Sequence, residues 1–356
     1  MIADRAVVSC EQVLQDLTRF DALLDVRSEG EFADDHLPGA INAPVLHDAE
    51  RVEVGILYRQ VSPFDARRRG AALVARNIAS IVETELAQKP RDWRPLVYCW
   101  RGGQRSAALT HVLARIGWPA RQLEGGYRAF RRHVMQDLAD LPARLVFHVV
   151  CGTTGSGKSR LLQQLAQAGA QVLDLEQLAH HRGSVLGGLP SLPQPSQKMF
   201  ETRIWSTLRS LRSDVPVFVE SESRKVGDLR VPDALIAAMR ASPCVRVELP
   251  IAERVKLLRD EYVHFERDPE QLLAQLNCLV ALHGRERVEQ WKTLVAAGQW
   301  DQLVERLLLE HYDPAYLRSI NRNFAHSAAA HVVTLARSAP DAYASAAQAL
   351  AAARSS

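Results

Sequence analysis

The sequence predicts an α/β protein of two successive domains, the second ending in a helical part. Three observations carry this. A short apolar strand runs into a tight loop and then a helix twice, once around Cys99 and once around Gly152. The chain has 356 residues, more than one small core accommodates. Its composition, 47% apolar and 24% charged, excludes a mostly disordered chain.

Residues 22–26 (ALLDV) read as a buried strand, followed by the polar turn Arg27-Ser28-Glu29. Leu96-Val97-Tyr98 is a second strand leading straight into Cys99, and residues 106–117 place Leu109, Val112, Leu113 and Ile116 on one helical face. The break between domains is expected near 135–144, around Pro142, which gives domains over 1–138 and 145–335. In the second, 145–151 (LVFHVVC) reads as a strand, 159–168 as a helix, and 171–175, 215–219 and 244–249 as further strands. From Glu253 onward the pattern is helical. The Ala-rich end, 336–356, reads as a loosely attached helix or tail.

Lys and Arg total 44 against 41 Asp and Glu, so any nucleic-acid surface must be local. No apolar stretch reaches the ~18 residues of a membrane span, and residues 1–10 lack the apolar run of a signal peptide. Five scattered cysteines form neither a disulfide framework nor a CxxC zinc pair. These features predict a cytoplasmic enzyme with reduced thiols and no membrane partner.

Residues 98–106, YCWRGGQRS, set a thiol at the end of a strand and just ahead of a helix. The N–H groups of such a loop, with the helix N-terminus, form an anion cradle that favours thiolate over thiol. Cys99 is therefore predicted to be a nucleophile, with Arg101 and Arg105 holding phosphate-like oxygens. The alternative, a buried structural cysteine, makes little sense of the flanking glycines and arginines. Together with residues 23–44, LLDVRSEGEFADDHLPGAINAP, the loop resembles a rhodanese domain. The match includes Asp25, Arg27, Glu31, Phe32, His36, Pro38, Gly39, Ala40 and Asn42. Five residues separate Cys99 from Arg105, one more than in the usual sulfurtransferase loop, and that length resembles the dual-specificity phosphatases of the same fold. A wider ring suits a phosphate-bearing donor. The stretch between Val45 and Arg94 also exceeds a minimal rhodanese and carries Arg51, Arg59, Arg67, Arg68, Arg69 and Arg76.

Gly152-Thr153-Thr154-Gly155-Ser156-Gly157-Lys158-Ser159 fits the phosphate-loop pattern between a predicted strand and helix. Its glycines turn successive N–H groups toward a phosphate, Lys158 adds a charge, and the Ser159 hydroxyl is placed to ligate magnesium. Asp174 and Glu176 are expected to end the second strand facing substrate. Glu220 and Glu222 stand where such proteins keep a metal-orienting acid, with a solvated loop carboxylate as the alternative, above all for Glu222. For His180, His181 and Arg182, a solvated turn and a contact to phosphate or RNA stay equally open.

Arg115, Arg121, Arg128, Arg131 and Arg132 interleave with Trp118, Tyr127 and Phe130. Basic residues among aromatics suit an RNA surface of backbone contacts and stacking; the alternative is a solvated helix with core aromatics. With the Arg-rich stretch, this predicts tRNA contacts by Arg67, Arg68, Arg69, Arg128, Arg131 and Arg132.

Over residues 10–330 the chain resembles the tRNA 2-selenouridine synthase family. The motifs are YCWRGGQRS (98–106), EGGYRAFR (124–131), GTTGSGKS (152–159), LDLEQLAHHRGS (173–184), FVESESRKVG (218–227) and EHYDPAY (310–316). The resemblance implies an enzyme acting on the wobble 2-thiouridine of tRNA. It would geranylate the sulfur from geranyl diphosphate and then exchange the S-geranyl group for selenium from selenophosphate. Cys99 would attack the selenium and carry it as a selenenyl-cysteine, and a selenophosphate-supplying enzyme is an expected partner. Assigning the phosphate loop to geranyl diphosphate follows from this chemistry, since the motif does not separate one diphosphate from another. No tightly bound cofactor is expected beyond magnesium at Ser159. Two alternatives are an ATP-dependent tRNA sulfurtransferase with a Cys99 persulfide and a kinase fused to a phosphatase-like domain.

Overall fold

The computed structural model describes residues 7–184, 186–188 and 192–352. The chain divides into two compact units, Met1–Asp137 with Ser196–Arg203 and Leu138–Pro195 with Ile204–Ser356.

In the first unit β1 (Val7–Val8), β2 (Ala22–Asp25), β3 (Ala40–Asn42), β4 (Pro95–Tyr98) and β5 (Arg121–Leu123) form a parallel sheet in the order β1-β5-β4-β2-β3. Every residue of β4 is buried, as in a parallel strand covered on both faces. The Arg-rich stretch folds as two helices, Asp48–Gln60 and Pro63–Thr84. The second buries Leu73, Ile78 and Ile81, which leaves its arginines outside the core. A polar network is also buried in this unit. Arg27 pairs with Asp25 at 2.6 Å and lies 4.0 Å from the centroid of the Tyr127 ring, while the Tyr127 and Thr202 hydroxyls both donate to Asp35.

The second unit has a five-stranded parallel sheet of β6 (Phe147–Cys151), β7 (Gln171–Leu173), β8 (Val217–Glu220), β11 (Cys244–Glu248) and β12 (His331–Thr334), ordered β12-β11-β6-β8-β7. A small antiparallel ribbon pairs β9 (Lys225–Val226) with β10 (Leu229–Arg230). Central β6 delivers the phosphate loop, and helix Lys158–Gln167 follows. A second apolar cluster, with Phe265, Leu272, Leu276, Trp291, Leu303 and Leu307, gathers the later helices.

Three sequence expectations change here. Strand β7 stops at Leu173, because Asp174 caps the short helix Leu175–Ala179; Glu176 is thus helical. Strand β12 lies in a stretch read as helical, since an edge strand whose residues are mostly exposed leaves little apolar pattern. The Ala-rich end is firmly packed. Helix Pro340–Ala352 buries Tyr343, Ala347 and Leu350 in one core with Leu161, Leu162 and Leu165, and alanines let the helices come close. Residues 353–356 of the expected tail lie outside the described residues. Among the described residues, no helix is long and apolar enough to cross a membrane.

Candidate active site

Cys99 follows directly on β4 and is 4% exposed. Its Sγ accepts the Gly103 N–H at 3.3 Å and the Ser106 hydroxyl at 3.1 Å. Gln122, on β5, holds that arrangement by donating to Ser106 Oγ at 2.9 Å and to the Gly102 carbonyl at 2.7 Å. The loop rests on residues 124–128, EGGYR: Tyr127 N–H donates to the Cys99 carbonyl and Arg128 N–H to that of Trp100. Gly126 has φ +56°, and a Cβ there would stand 2.1 Å from the Cys99 carbonyl oxygen, so only glycine fits. Sequence reasoning gave these glycines no structural role; the Gly-Gly pair was the available signal.

Arg105 is brought to this loop but already engaged, with Nη1 2.8 Å from Glu31. Burial pulls the Glu31 carboxyl up, yet Arg105 outweighs it and holds the group below its ordinary value. Arg101 is exposed.

The phosphate loop is shaped by residues far along the chain. Arg254, itself buried, donates to the Thr154 carbonyl at 2.9 Å and clamps both Asp313 oxygens at 2.9 and 2.5 Å. Gly152 N–H donates to the Tyr316 hydroxyl at 2.7 Å, and the Tyr343 hydroxyl donates to the Ser156 carbonyl at 3.2 Å. Gly157 has φ +79°, and a Cβ would fall 2.1 Å from that Tyr343 oxygen. Lys158 Nζ donates to the Gly152 carbonyl at 2.9 Å. Arg254 and Tyr343 carried no sequence signal; Asp313 and Tyr316 were visible only as part of the EHYDPAY motif.

Beside the loop opens a cleft of about 620 Å³, lined among others by Lys158, Ser159, Glu176, Arg182, Glu222 and Tyr316. Ser159 donates to Glu176 at 2.7 Å, and Glu176 N–H donates to Glu220 at 2.7 Å. Glu220 is 1% exposed, and its other oxygen has no partner among the described residues. Burial, reinforced by Asp174, Glu176 and Glu222, drives its carboxyl far above the ordinary value. Glu222 is 8% exposed, not a solvated loop carboxylate. Burial and Glu176 push it up to about 8 against the pull of Lys158. Asp174 lines the same cleft, but its Oδ1 accepts the Gln177 N–H at 2.7 Å as a helix cap; burial pushes it up to about 6. Among the described residues, no group of three His, Cys, Asp or Glu side chains is arranged to hold a metal. Ser159 with Glu176 does fit magnesium, which takes one or two protein oxygens and completes its shell with phosphates and water.

His181 and Arg182 line the cleft, and Arg182 lies 4.9 Å from the centroid of the Tyr262 ring. His180 bonds the Pro193 carbonyl. The expected RNA surface is changed by burial: Tyr127 and Phe130 are core residues and cannot stack on a base. Arg131 pairs with Glu201, Arg68 with Asp65 and Arg69 with Glu53, and Arg67 bonds the Pro63 carbonyl. Arg128 and Arg132 are exposed.

The rhodanese-like domain family matches residues 9–133, and the tRNA 2-selenouridine synthase AAA domain matches residues 145–275. A tRNA 2-selenouridine synthase of Nitrosomonas europaea is 36% identical over 68% of this chain, a match spanning 63% of that relative's length. One from Marinobacter nauticus is 33% identical over 83% of this chain and 87% of its own length. One from Bdellovibrio bacteriovorus is 30% identical over 84% and 89%. The chain belongs to the tRNA 2-selenouridine synthase family. In this tRNA 2-selenouridine synthase family member, the first domain match contains the whole Cys99 loop, and the second contains the phosphate loop, its acids and Arg254. Asp313, Tyr316 and Tyr343, which shape the phosphate loop, lie beyond the second match.

Proposed function

We propose that the protein converts the wobble 2-thiouridine of tRNA to 2-selenouridine in the cytoplasm, by geranylation followed by exchange for selenium. The observation that carries this is the pair of anion loops of different chemistry in one chain, one ending on a thiol and one on an ammonium group.

In the first step the thiocarbonyl sulfur attacks C1 of geranyl diphosphate. The C–O bond breaks, diphosphate leaves with the electron pair, and the base loses its N3 proton. Lys158 exchanges the Gly152 carbonyl for diphosphate oxygens, and the loop amides neutralise the charge that develops. Magnesium held by Ser159 and Glu176 supplies further neutralisation when bound.

In the second step electron counting decides where Cys99 acts. Selenium in selenophosphate is already at the selenide level, so a selenenyl-cysteine would require a two-electron oxidant. Attack of Cys99 on phosphorus requires none. The S–P bond forms, the P–Se bond breaks, and hydroselenide leaves with the pair. Hydroselenide then adds to C2 of the S-geranyl base and geranyl thiolate departs, while the selenide proton ends on N3. Water hydrolyses the phosphocysteine to phosphate. Arg105 would release Glu31 to hold the phosphoryl oxygens, a role that suits the five-residue spacing from Cys99. Exposed Arg128 and Arg132 would contact the tRNA backbone.

The test is mass analysis of wobble nucleosides after incubation with thiolated tRNA, geranyl diphosphate and selenophosphate, each omitted in turn. Cys99→Ser should accumulate the S-geranyl nucleoside, and Lys158→Ala should fail before it. Normal selenium incorporation by Cys99→Ser would remove the proposed role of the thiol. Lys158-dependent ATP turnover indifferent to geranyl diphosphate would instead favour the sulfurtransferase.

A further inference from the structure

Next to the phosphate-loop cleft lies a second, smaller cavity of about 70 Å³. The two share five lining residues, Thr154, Ser184, Leu258, Tyr262 and Tyr312, so the small cavity adjoins the large one across these side chains. The rest of its lining is largely apolar, with Phe265, Leu272, Leu303 and Leu307. The two charged lining residues neutralise each other, since Arg259 donates to Glu266 at 3.0 and 2.9 Å.

We propose that this cavity seats the ten-carbon chain of an allylic diphosphate whose headgroup lies on the phosphate loop; the assignment rests on the geranylation reading above. Thr154 belongs both to the loop and to the cavity wall, so a diphosphate on the loop would hold its C1 beside the residues the two cavities share. Tyr262 and Tyr312 line both cavities, and aromatic faces there would favour the positive charge that develops on the allyl group. Size selects the chain length. At 10–15 Å³ per water, the cavity has room for about five to seven waters. A geranyl group is an eight-carbon main chain with two methyl branches; its seven bonds of ~1.5 Å match the span of about five waters in a row, hydrogen-bonded ~2.8 Å apart. A five-carbon chain would leave the end empty, and a fifteen-carbon chain would not fit.

The experiment offers the full-length protein dimethylallyl, geranyl and farnesyl diphosphates with thiolated tRNA and quantifies each S-alkylated nucleoside, with melting temperature and inorganic diphosphate binding measured in parallel. The wild type should prefer geranyl at least tenfold over either alternative. Leu303→Trp, which fills the cavity, should lose geranyl transfer tenfold or more while keeping diphosphate binding. Leu303→Ala, which lengthens it, should gain farnesyl transfer relative to geranyl, so the assignment stays testable if the Trp variant fails to fold. A geranylating wild type whose chain-length profile is unchanged in the folded variants would overturn the cavity assignment alone. A wild type that transfers no allyl group would overturn the geranylation reading and this assignment with it.

Discussion

In the loop after β4 the donors converge on an atom of the protein itself: Gly103 N–H and the Ser106 hydroxyl both point at Cys99 Sγ. In the loop after β6 the donors have no such centre. Lys158 rests on the Gly152 carbonyl, and the Gly152 N–H is turned to Tyr316. The first loop is held by neighbours close in sequence, from Gly102 to Arg128. The second is held by Arg254, Tyr316 and Tyr343, each 100 or more residues away. A loop whose donors centre on one of its own atoms is shaped by a local mould, whereas a loop that faces an open cleft is shaped by walls that several elements build.

That contrast can be broken most severely at Arg254. Arg254→Ala leaves Asp313 without its buried partner and frees the Thr154 carbonyl, and should destabilise the protein by about 3–5 kcal/mol. Thermal unfolding checks this, and a loss below 1 kcal/mol would show the clamp to be incidental. Gly126→Ala attacks the other mould through its positive φ and its contact with the Cys99 carbonyl, at a cost of about 1–3 kcal/mol. Selenation should fall more than geranylation, and an equal fall in both would contradict separate moulds.

A pH measurement sharpens the comparison, because the acid beside the first loop is held down by Arg105 whereas Glu222, beside the second loop's lysine, is raised. The Glu222 carboxyl is raised to about 8 in the folded protein. Its contribution to stability is therefore complete below the ordinary Glu value near pH 4.5 and lost as pH rises toward 8. Relative to the wild type, Glu222→Gln should become progressively more stable between pH 5 and 8; a constant gap in melting temperature would refute the shift. The smallest effect is expected for Ser106→Ala. The hydroxyl's bond to Cys99 and the one it accepts from Gln122 are lost, but Gln122 keeps its bond to the Gly102 carbonyl, so the cost should be about 1–2 kcal/mol. Selenation should slow while geranylation stays unchanged, as the nucleoside assay would show.

The same contrast explains what was legible in the amino-acid order. Strands β2, β4, β6, β8 and β11 and both anion loops are contiguous patterns, and each is present at its expected place. The missed features are pairings across long separations: Arg254 with Asp313, Tyr343 with Gly157, and β12 beside β11. The solvated alternative for Glu222 stays open in the sequence because burial is set by elements that pack from elsewhere in the chain. Tyr127 and Phe130 were misjudged because an aromatic facing the core and one facing solvent look alike in one dimension. The cavity behind the phosphate loop escaped for the same reason, being assembled from residues 154 to 312.

The hydroxyl at position 343 that reaches the Ser156 carbonyl spans 187 residues. During synthesis, the phosphate loop leaves the ribosome long before the helix that closes over it and the strand that finishes its sheet. A growing or prematurely ended polypeptide therefore lacks a fully walled phosphate loop, while the thiol-bearing half already possesses all of its described sheet strands by residue 123.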